Sequence, residues 1–160
     1  MLSPASDRGP RFEYQHQDSA LSLAAGLDEY YRGHPGLIRP DTIAPESAAL
    51  FRPHDICHVI FGLDTTMVDE AMADLRTVLS TDVGVRRYLR YLRTNKEAQQ
   101  IFREVGYLRA LVATVHALAR FLRALAQALR SRRRWPWNPP EEHLSKPLGT
   151  LRAAYGIRVL

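Results

Sequence analysis

The chain has 160 residues, which is enough for one domain with a buried core. Apolar residues make up 46% of it and charged residues 24%, and these values exclude wholesale disorder. A single cysteine, Cys57, excludes an internal disulfide framework and a cysteine-rich zinc module. The longest apolar run in the C-terminal half, residues 110–119, is far shorter than the about 20 residues of a membrane-spanning helix. We expect an intracellular protein without a secretory leader or mitochondrial presequence.

Charge is divided unevenly along the chain. Residues 1–85 hold six basic and thirteen acidic side chains, a net charge of −7. Residues 86–160 hold sixteen basic and four acidic side chains, a net charge of +12. This asymmetry indicates an anionic surface as partner, either nucleic acid or a membrane.

Turn signals and hydrophobic periodicity predict helices along the chain and no strand. Residues 1–17 carry two prolines and a glycine and are expected to form a loose arm. Helices are predicted over residues 18–32, 45–62, 66–79, 83–94, 97–133 and 147–155. The second of these is expected to restart at Pro53, because proline is tolerated at a first helical position. The predicted fold class is all-α, with residues 1–160 forming a single-domain bundle around one long amphipathic helix.

The long predicted helix, residues 97–133, carries one narrow polar stripe. The stripe consists of Arg109, His116, Arg120, Arg123, Gln127, Arg130 and Arg134. Leucine and valine cover the remaining surface, which is wide enough to meet several helices, a lipid chain or a bilayer. In an ordinary bundle the arginine stripe would instead be the solvated edge of a central helix. Residues 130–137 add tryptophans to basic groups, which suits either an anionic membrane leaflet or a solvated helix end.

The strongest chemical signal lies at His54 and His58. On a helix these residues are i and i+4, so both imidazoles leave one face at the spacing that a single metal ion requires. Asp55 is rotated by about 100° and can be a further ligand or accept a hydrogen bond from an imidazole. Glu70 lies twelve positions after His58, beyond a turn at Gly62 that lets the next helix fold back. Such a set would leave coordination positions open for a substrate.

Each of these residues also has an ordinary structural interpretation. The carboxylates of Asp55 and Glu70 would lie in the first turns of their helices, where the helix dipole favours negative charge. In the zincin pattern H-E-x-x-H a glutamate stands where this chain has Asp55, whose shorter arm weakens a protease interpretation. The pair His54-Asp55 is also similar to the HD-domain phosphohydrolases. Their further ligands would be His34, in a connector rich in proline and glycine, and Asp82.

A fuller pattern resembles the coenzyme Q biosynthesis protein 4 family. His54, Asp55 and His58, then eleven residues, then Glu70 reproduce the family signature H-D-x-x-H-(eleven)-E. The stretch HDICHVIFGLDTTMVDEAM has the family's order of aliphatic residues, glycine, polar turn and helix. The C-terminal LSKPLGTLRAAYGI is similar to the family's ending.

The resemblance implies a role in ubiquinone biosynthesis. His54, Asp55, His58 and Glu70 would hold a divalent metal ion, taken to be zinc. The protein would bind a polyprenylated quinone precursor or another isoprenoid lipid and take part in decarboxylation and oxidation at the ring carboxyl carbon. It would also help to organise the other quinone-biosynthesis proteins. Its place would be peripheral, on the cytoplasmic side of the bacterial inner membrane, which corresponds to the matrix side of the mitochondrial inner membrane in eukaryotic members.

Three other functions compete with this interpretation. The same metal could be structural in a non-catalytic lipid-binding scaffold, or the chain could be an HD-type phosphohydrolase. A nucleic-acid binder would use the basic half, but no recognition helix with Asn, Gln or Arg readers is visible. We therefore expect no nucleic-acid partner, and we leave open whether the chain forms a homodimer.

Overall fold

The computed structural model describes residues 11–94, 118–130 and 133–159. Within these ranges the chain forms six α-helices: α1 (Leu23–Gly33), α2 (Pro45–Phe61), α3 (Met67–Ser80), α4 (Val85–Thr94), α5 (Leu118–Arg130) and α6 (Leu148–Tyr155). Short 3-10 helices lie at Glu13–Gln15, Pro40–Thr42 and Glu141–His143. These described ranges contain no strand or sheet, and the predicted all-α single-domain class is confirmed. Among the described helices, none has the length and apolar character needed to cross a membrane.

Helix α1 begins later than predicted, at Leu23 instead of near residue 18. Its N-cap is Ser22, whose side chain accepts a hydrogen bond from the Ala25 N–H at 3.1 Å. The residues before it pair with the C-terminal part of the chain, because the Leu148 N–H donates to the Leu21 carbonyl at 2.8 Å. A distant contact therefore decides where this helix starts.

Helix α2 is the central element and contacts α1, α3 and α6. It continues through Pro53, so the predicted restart at that residue is wrong. Proline removes one backbone hydrogen bond from a helix interior, but Pro53 is buried and the neighbouring helices hold the helix in place. The helix ends as predicted before Gly62, whose φ of 70° lies in the left-handed region that glycine adopts without strain.

Residues 11–17 of the predicted loose arm are packed against the bundle, so the prediction is wrong for this part. Tyr14 is fully buried, and its hydroxyl donates to the Leu63 carbonyl at 2.9 Å. Gly26 on α1 makes room for it, since a Cβ there would lie 3.3 Å from the Cβ of Tyr14. Residues 1–10 of the predicted arm lie outside the described residues.

A buried arginine on α6, Arg152, ties this N-terminal segment to the end of α2. Its guanidinium donates to the carbonyls of Tyr14 at 2.6 Å and Val59 at 2.8 Å, and also to that of His16. Its Nε donates to the Ile60 carbonyl at 2.9 Å. Burial lowers the pKa of Arg152 to about 10, so the side chain remains a cation at neutral pH. One side chain thus satisfies carbonyls from two separate segments.

Two residues of the polar stripe of the long predicted helix, Arg120 and Gln127, contact α3, whereas Arg123 is exposed. Arg120 donates to Asp69 of α3 at 2.9 Å, and Gln127 accepts from Arg76 of α3 at 2.8 Å. The interpretation of this stripe as a solvated edge is therefore wrong for these two residues. Asp69 and Arg76 are buried and need polar partners, so they orient α5. Residues 97–117 of the predicted helix, with Arg109 and His116, lie outside the described residues.

The two tryptophans after α5 are core residues. Trp135 and Trp137 are each 1% exposed, so they do not form the interfacial aromatic group that a membrane-facing stretch would present. The backbone N–H of Trp135 donates to the Ser80 carbonyl at 2.8 Å. The backbone N–H of Trp137 donates to Asp82 Oδ1 at 2.7 Å. These contacts fasten the segment to the end of α3 and the turn that follows it.

Replacement of Arg152 tests its role in joining the segments. We expect Arg152→Gln to lower the free energy of unfolding by about 3 kcal/mol or more, because several buried carbonyls lose their donor. For a chain of this size that loss corresponds to a fall in Tm of about 6–12 °C, measured by circular dichroism. Arg158→Gln is the matched control, since the Arg158 side chain is exposed, and its Tm should stay within about 2 °C. Equal Tm values for both variants would contradict this role.

Candidate metal centre

Two helices and one turn bring His54, His58 and Glu70 together. After Gly62 ends α2, the Leu63 N–H closes the turn by donating to the His58 carbonyl at 2.8 Å. Thr66 then caps α3 by accepting from the Asp69 N–H at 3.2 Å. Glu70 lies in the first turn of α3, which packs back against α2 as the sequence predicted.

The three side chains converge on one point. The two Nε2 atoms of His54 and His58 are 3.3 Å apart. Glu70 Oε2 lies 3.5 Å from the first and 3.4 Å from the second. In the part of the chain that the structure describes, these three form the one group of histidine, cysteine and carboxylate side chains whose geometry could hold a metal ion.

The ring of His58 is oriented by backbone and stacking contacts. Its Nδ1 lies 3.1 Å from the Asp64 carbonyl, which can only accept, so Nδ1 carries a proton and donates it. Tyr30 stacks on the ring at a centroid distance of 5.4 Å. In the neutral imidazole, Nε2 therefore presents a lone pair towards His54 and Glu70.

The ring of His54 is oriented by side chains from α3 and α4. Its Nδ1 lies 3.4 Å from the hydroxyl of Tyr88. That hydroxyl donates its proton to Asp74 Oδ1 at 2.5 Å, so its oxygen accepts from Nδ1 of His54. Burial and the nearby Asp74 raise the pKa of Tyr88 well above its usual range, which keeps the phenol protonated. The neutral His54 ring thus also presents an Nε2 lone pair.

Three hydrogen-bond acceptors consequently face one another within 3.5 Å. The lone pairs of His54, His58 and Glu70 repel one another unless a cation, either a proton or a metal ion, lies among them. Burial alone lowers the pKa of His54, but its hydrogen bond to Glu70 and the charge of Asp74 raise it to about 9. Burial alone raises the pKa of Glu70, and the two imidazoles outweigh it and hold that pKa well below its usual range. The arrangement therefore favours a cation at neutral pH.

One side of the centre is open to solvent. The side chain of His58 is 1% exposed and that of His54 17%, whereas that of Glu70 is 43% exposed. Three protein ligands leave at least one coordination position free for water or a substrate oxygen.

Asp55 does not join this group, although the sequence pattern suggested it as a ligand. It is 5% exposed, and its Oδ2 accepts a hydrogen bond from the Tyr31 hydroxyl at 2.7 Å. The reason is helical geometry, since one residue along α2 rotates the side chain by about 100°, away from the face of His54 and towards α1. Burial raises the pKa of Asp55 to about 6, against the opposing effects of Tyr31 and His54.

The two further ligands of an HD-type phosphohydrolase also lie elsewhere. His34 Nδ1 contacts the Tyr30 carbonyl at 2.8 Å, and its Nε2 contacts Asp64 Oδ1 at 2.7 Å. Asp82 accepts from the backbone of Trp137. Neither side chain belongs to the group of His54, His58 and Glu70.

The sequence analysis missed three residues that surround the centre: Asp64, Asp74 and Tyr88. Asp74 could have been found, because it follows Glu70 by four residues and so shares its face of α3. Tyr88 has no such signal, since only the packing of α4 brings it to His54. Asp64 acts on His58 through its backbone carbonyl, which is independent of residue type.

Comparison of the chain with protein-family models, with curated proteins and with solved structures finds no match.

Binding of a metal ion at this centre should release a proton from the protein. Below pH 9 His54 holds a proton in the metal-free protein, and a metal ion has to displace it. We therefore expect zinc affinity to rise about tenfold per pH unit from pH 6 to pH 8 and to level off above pH 9. Isothermal titration calorimetry at pH 7.5, in two buffers of different ionisation enthalpy, should report release of about one proton. The Glu70→Gln protein should bind more weakly and release less, because loss of the carboxylate lowers the pKa of His54. A pH-independent affinity would contradict the arrangement.

Proposed function

We propose that this protein is a zinc-dependent member of the ubiquinone biosynthetic machinery that acts on a polyprenylated ring precursor. The observation that supports it best is the convergence of His54, His58 and Glu70, three residues of the H-D-x-x-H-(eleven)-E pattern. The pattern supplies the expected residues, and their Nε2 and Oε2 atoms meet at the distances that one ion needs. Asp55, the fourth residue of the pattern, would act outside the ligand set through its hydrogen bond to Tyr31.

The spacing of the three atoms supports a tetrahedral ion. Zinc binds nitrogen and oxygen ligands at about 2.0–2.1 Å, which places two ligands of a tetrahedron about 3.3–3.4 Å apart. The separations among His54, His58 and Glu70 are 3.3, 3.4 and 3.5 Å. Two histidines and a carboxylate with one open position are also the donor set of catalytic zinc sites.

The proposed reaction is loss of the ring carboxyl group. A bound divalent ion would supply a Lewis acid for a phenolate or carboxylate oxygen of the precursor. The carboxyl group leaves as CO₂, and the electron pair of the broken bond stays on the ring carbon. Oxidation at that carbon would form a C–O bond with an oxygen from water and would need an added two-electron oxidant, such as molecular oxygen, which would be reduced to hydrogen peroxide. His54, His58 and Glu70 would hold the ion, and the exposed side at Glu70 would admit the ring.

Apolar side chains on the surface support a lipid-like substrate. In the part of the chain that the structure describes, Leu122 and Leu129 of α5 are 57% and 79% exposed, and Val85 and Leu89 of α4 about half exposed. Burial of a prenyl tail stabilises binding by about 0.8 kcal/mol per CH₂ group, so such a tail would dominate affinity. The proposal includes a peripheral position on the cytoplasmic side of the inner membrane and contact with other quinone-biosynthesis proteins.

The open coordination position argues against a purely structural metal. Structural zinc sites are closed by four protein ligands, whereas this centre combines three ligands, one of which is the half-buried side chain of Glu70. A non-catalytic scaffold also predicts bound zinc, and turnover of the precursor distinguishes it from an enzyme.

Metal content and turnover test the proposal together. Native mass spectrometry of the purified protein should detect one zinc ion and a co-purified isoprenoid lipid. We expect His58→Ala, which removes a ligand, to lose the zinc ion. Its turnover of a prenylated hydroxybenzoate, measured as CO₂ release under air, should fall at least about 100-fold. His16→Ala is the matched control, because the His16 side chain is exposed and is not one of the three side chains of the centre. This variant should keep both the zinc and the turnover.

The outcomes separate the alternatives. Zinc and lipid without turnover would support the scaffold and overturn the enzyme. A protein that binds neither would overturn the proposal. Phosphate release from a phosphoester would favour the phosphohydrolase instead.

A further inference from the structure

The hydroxyl of Tyr88 lies between a carboxylate and an imidazole. Tyr88 is on α4 and is 2% exposed. It donates to Asp74 Oδ1 at 2.5 Å, and the same oxygen is 3.4 Å from His54 Nδ1. The order is carboxylate, phenol and imidazole, and these groups come from α3, α4 and α2 in turn.

A phenol has one proton, which decides the direction of both contacts. Tyr88 gives its proton to Asp74, so its oxygen can only accept from His54. This acceptor holds the imidazole in the tautomer with the proton on Nδ1 and directs the Nε2 lone pair at Glu70 and His58. Imidazole ligands of metals generally donate their other N–H to such an outer partner, which sets the ring orientation.

The two histidines differ in how they are held. His58 donates to the backbone carbonyl of Asp64, which a side-chain substitution leaves in place. His54 Nδ1 contacts the side-chain hydroxyl of Tyr88, which is itself bonded to Asp74. A change at Tyr88 therefore acts on one ligand and leaves the other as it is.

Trp137 packs against Tyr88 and supports its position. The ring of Trp137 meets that of Tyr88 edge to face, with centroids 5.8 Å apart. The Trp137 backbone N–H is held by Asp82, in the turn between α3 and α4. The buried aromatic pair fixes the phenol where its oxygen reaches His54.

We propose that Tyr88 and Asp74 are positioning residues that orient His54 for metal binding. This inference rests on the proposed metal site and adds the part of it that no sequence pattern contains. Neither residue is a ligand, and both act through His54.

Zinc affinity of the full chain, measured by competition with a chromophoric chelator, tests the inference. We expect Tyr88→Phe to lower the affinity about 10–100-fold, the range found when outer partners of metal ligands are removed. The matched control is Tyr91→Phe on the same helix, because the Tyr91 hydroxyl contacts Arg87 and not His54. Its affinity should equal that of the wild type. Asp74→Asn keeps an oxygen that accepts the phenol proton, so it should retain more affinity than Asp74→Ala.

A second measurement separates positioning from mere packing. In the zinc-loaded, ¹⁵N-labelled protein, the His54 Nδ1–H should be protected from solvent exchange, and its signal is assigned by its absence in His54→Ala. Tyr88→Phe should bind zinc more weakly and lose that protection while the Tm of its metal-free form stays near the wild-type value. Tyr88→Phe with wild-type affinity and a lower Tm would overturn the inference and leave the metal site intact. A wild-type chain that binds no zinc would overturn both.

Discussion

Mutual repulsion among three acceptor atoms is the constraint on which the centre depends. His54, His58 and Glu70 present lone pairs to one another within 3.5 Å, and such a triangle persists only around positive charge. In the metal-free protein the charge is a proton, held on His54 by the surrounding carboxylates. The same features that retain this proton would favour a divalent cation in its place. The proton and the metal are therefore competitors for one position.

Contacts outside the centre help to hold the helices that carry His54, His58 and Glu70. Backbone carbonyls at the end of α2 are satisfied by Arg152, which also clamps the segment around Tyr14. That segment covers the turn after Gly62 through the contact of Tyr14 with Leu63. This turn after Gly62 determines where α3 starts and hence where Glu70 lies. Arg152, which is buried among carbonyls and distant from the metal centre in sequence, thus contributes to the geometry of that centre.

Polar contacts with α3 decide how α5 is oriented. Helix α5 turns Arg120 and Gln127 towards α3 because Asp69 and Arg76 need partners there, and this leaves Leu122 and Leu129 outside. An unpartnered buried charge costs more than an exposed leucine, so electrostatics overrides the hydrophobic pattern. The outward leucines are then available for a lipid, in line with the proposed substrate.

Local signals in the sequence determined the helical class, the ends of α2 and α3, and the convergence of His54, His58 and Glu70. These follow from helical periodicity, a glycine stop and a threonine cap, all of which act over a few residues. The sequence-based prediction was wrong about the packing of residues 11–17 and about a solvated position for Arg120 and Gln127. It also did not indicate that Asp55 accepts a hydrogen bond from Tyr31. The sequence also contained no signal for Tyr88. Only the tertiary structure decided these points, because each depends on which buried polar group, distant in the chain, is available as a partner.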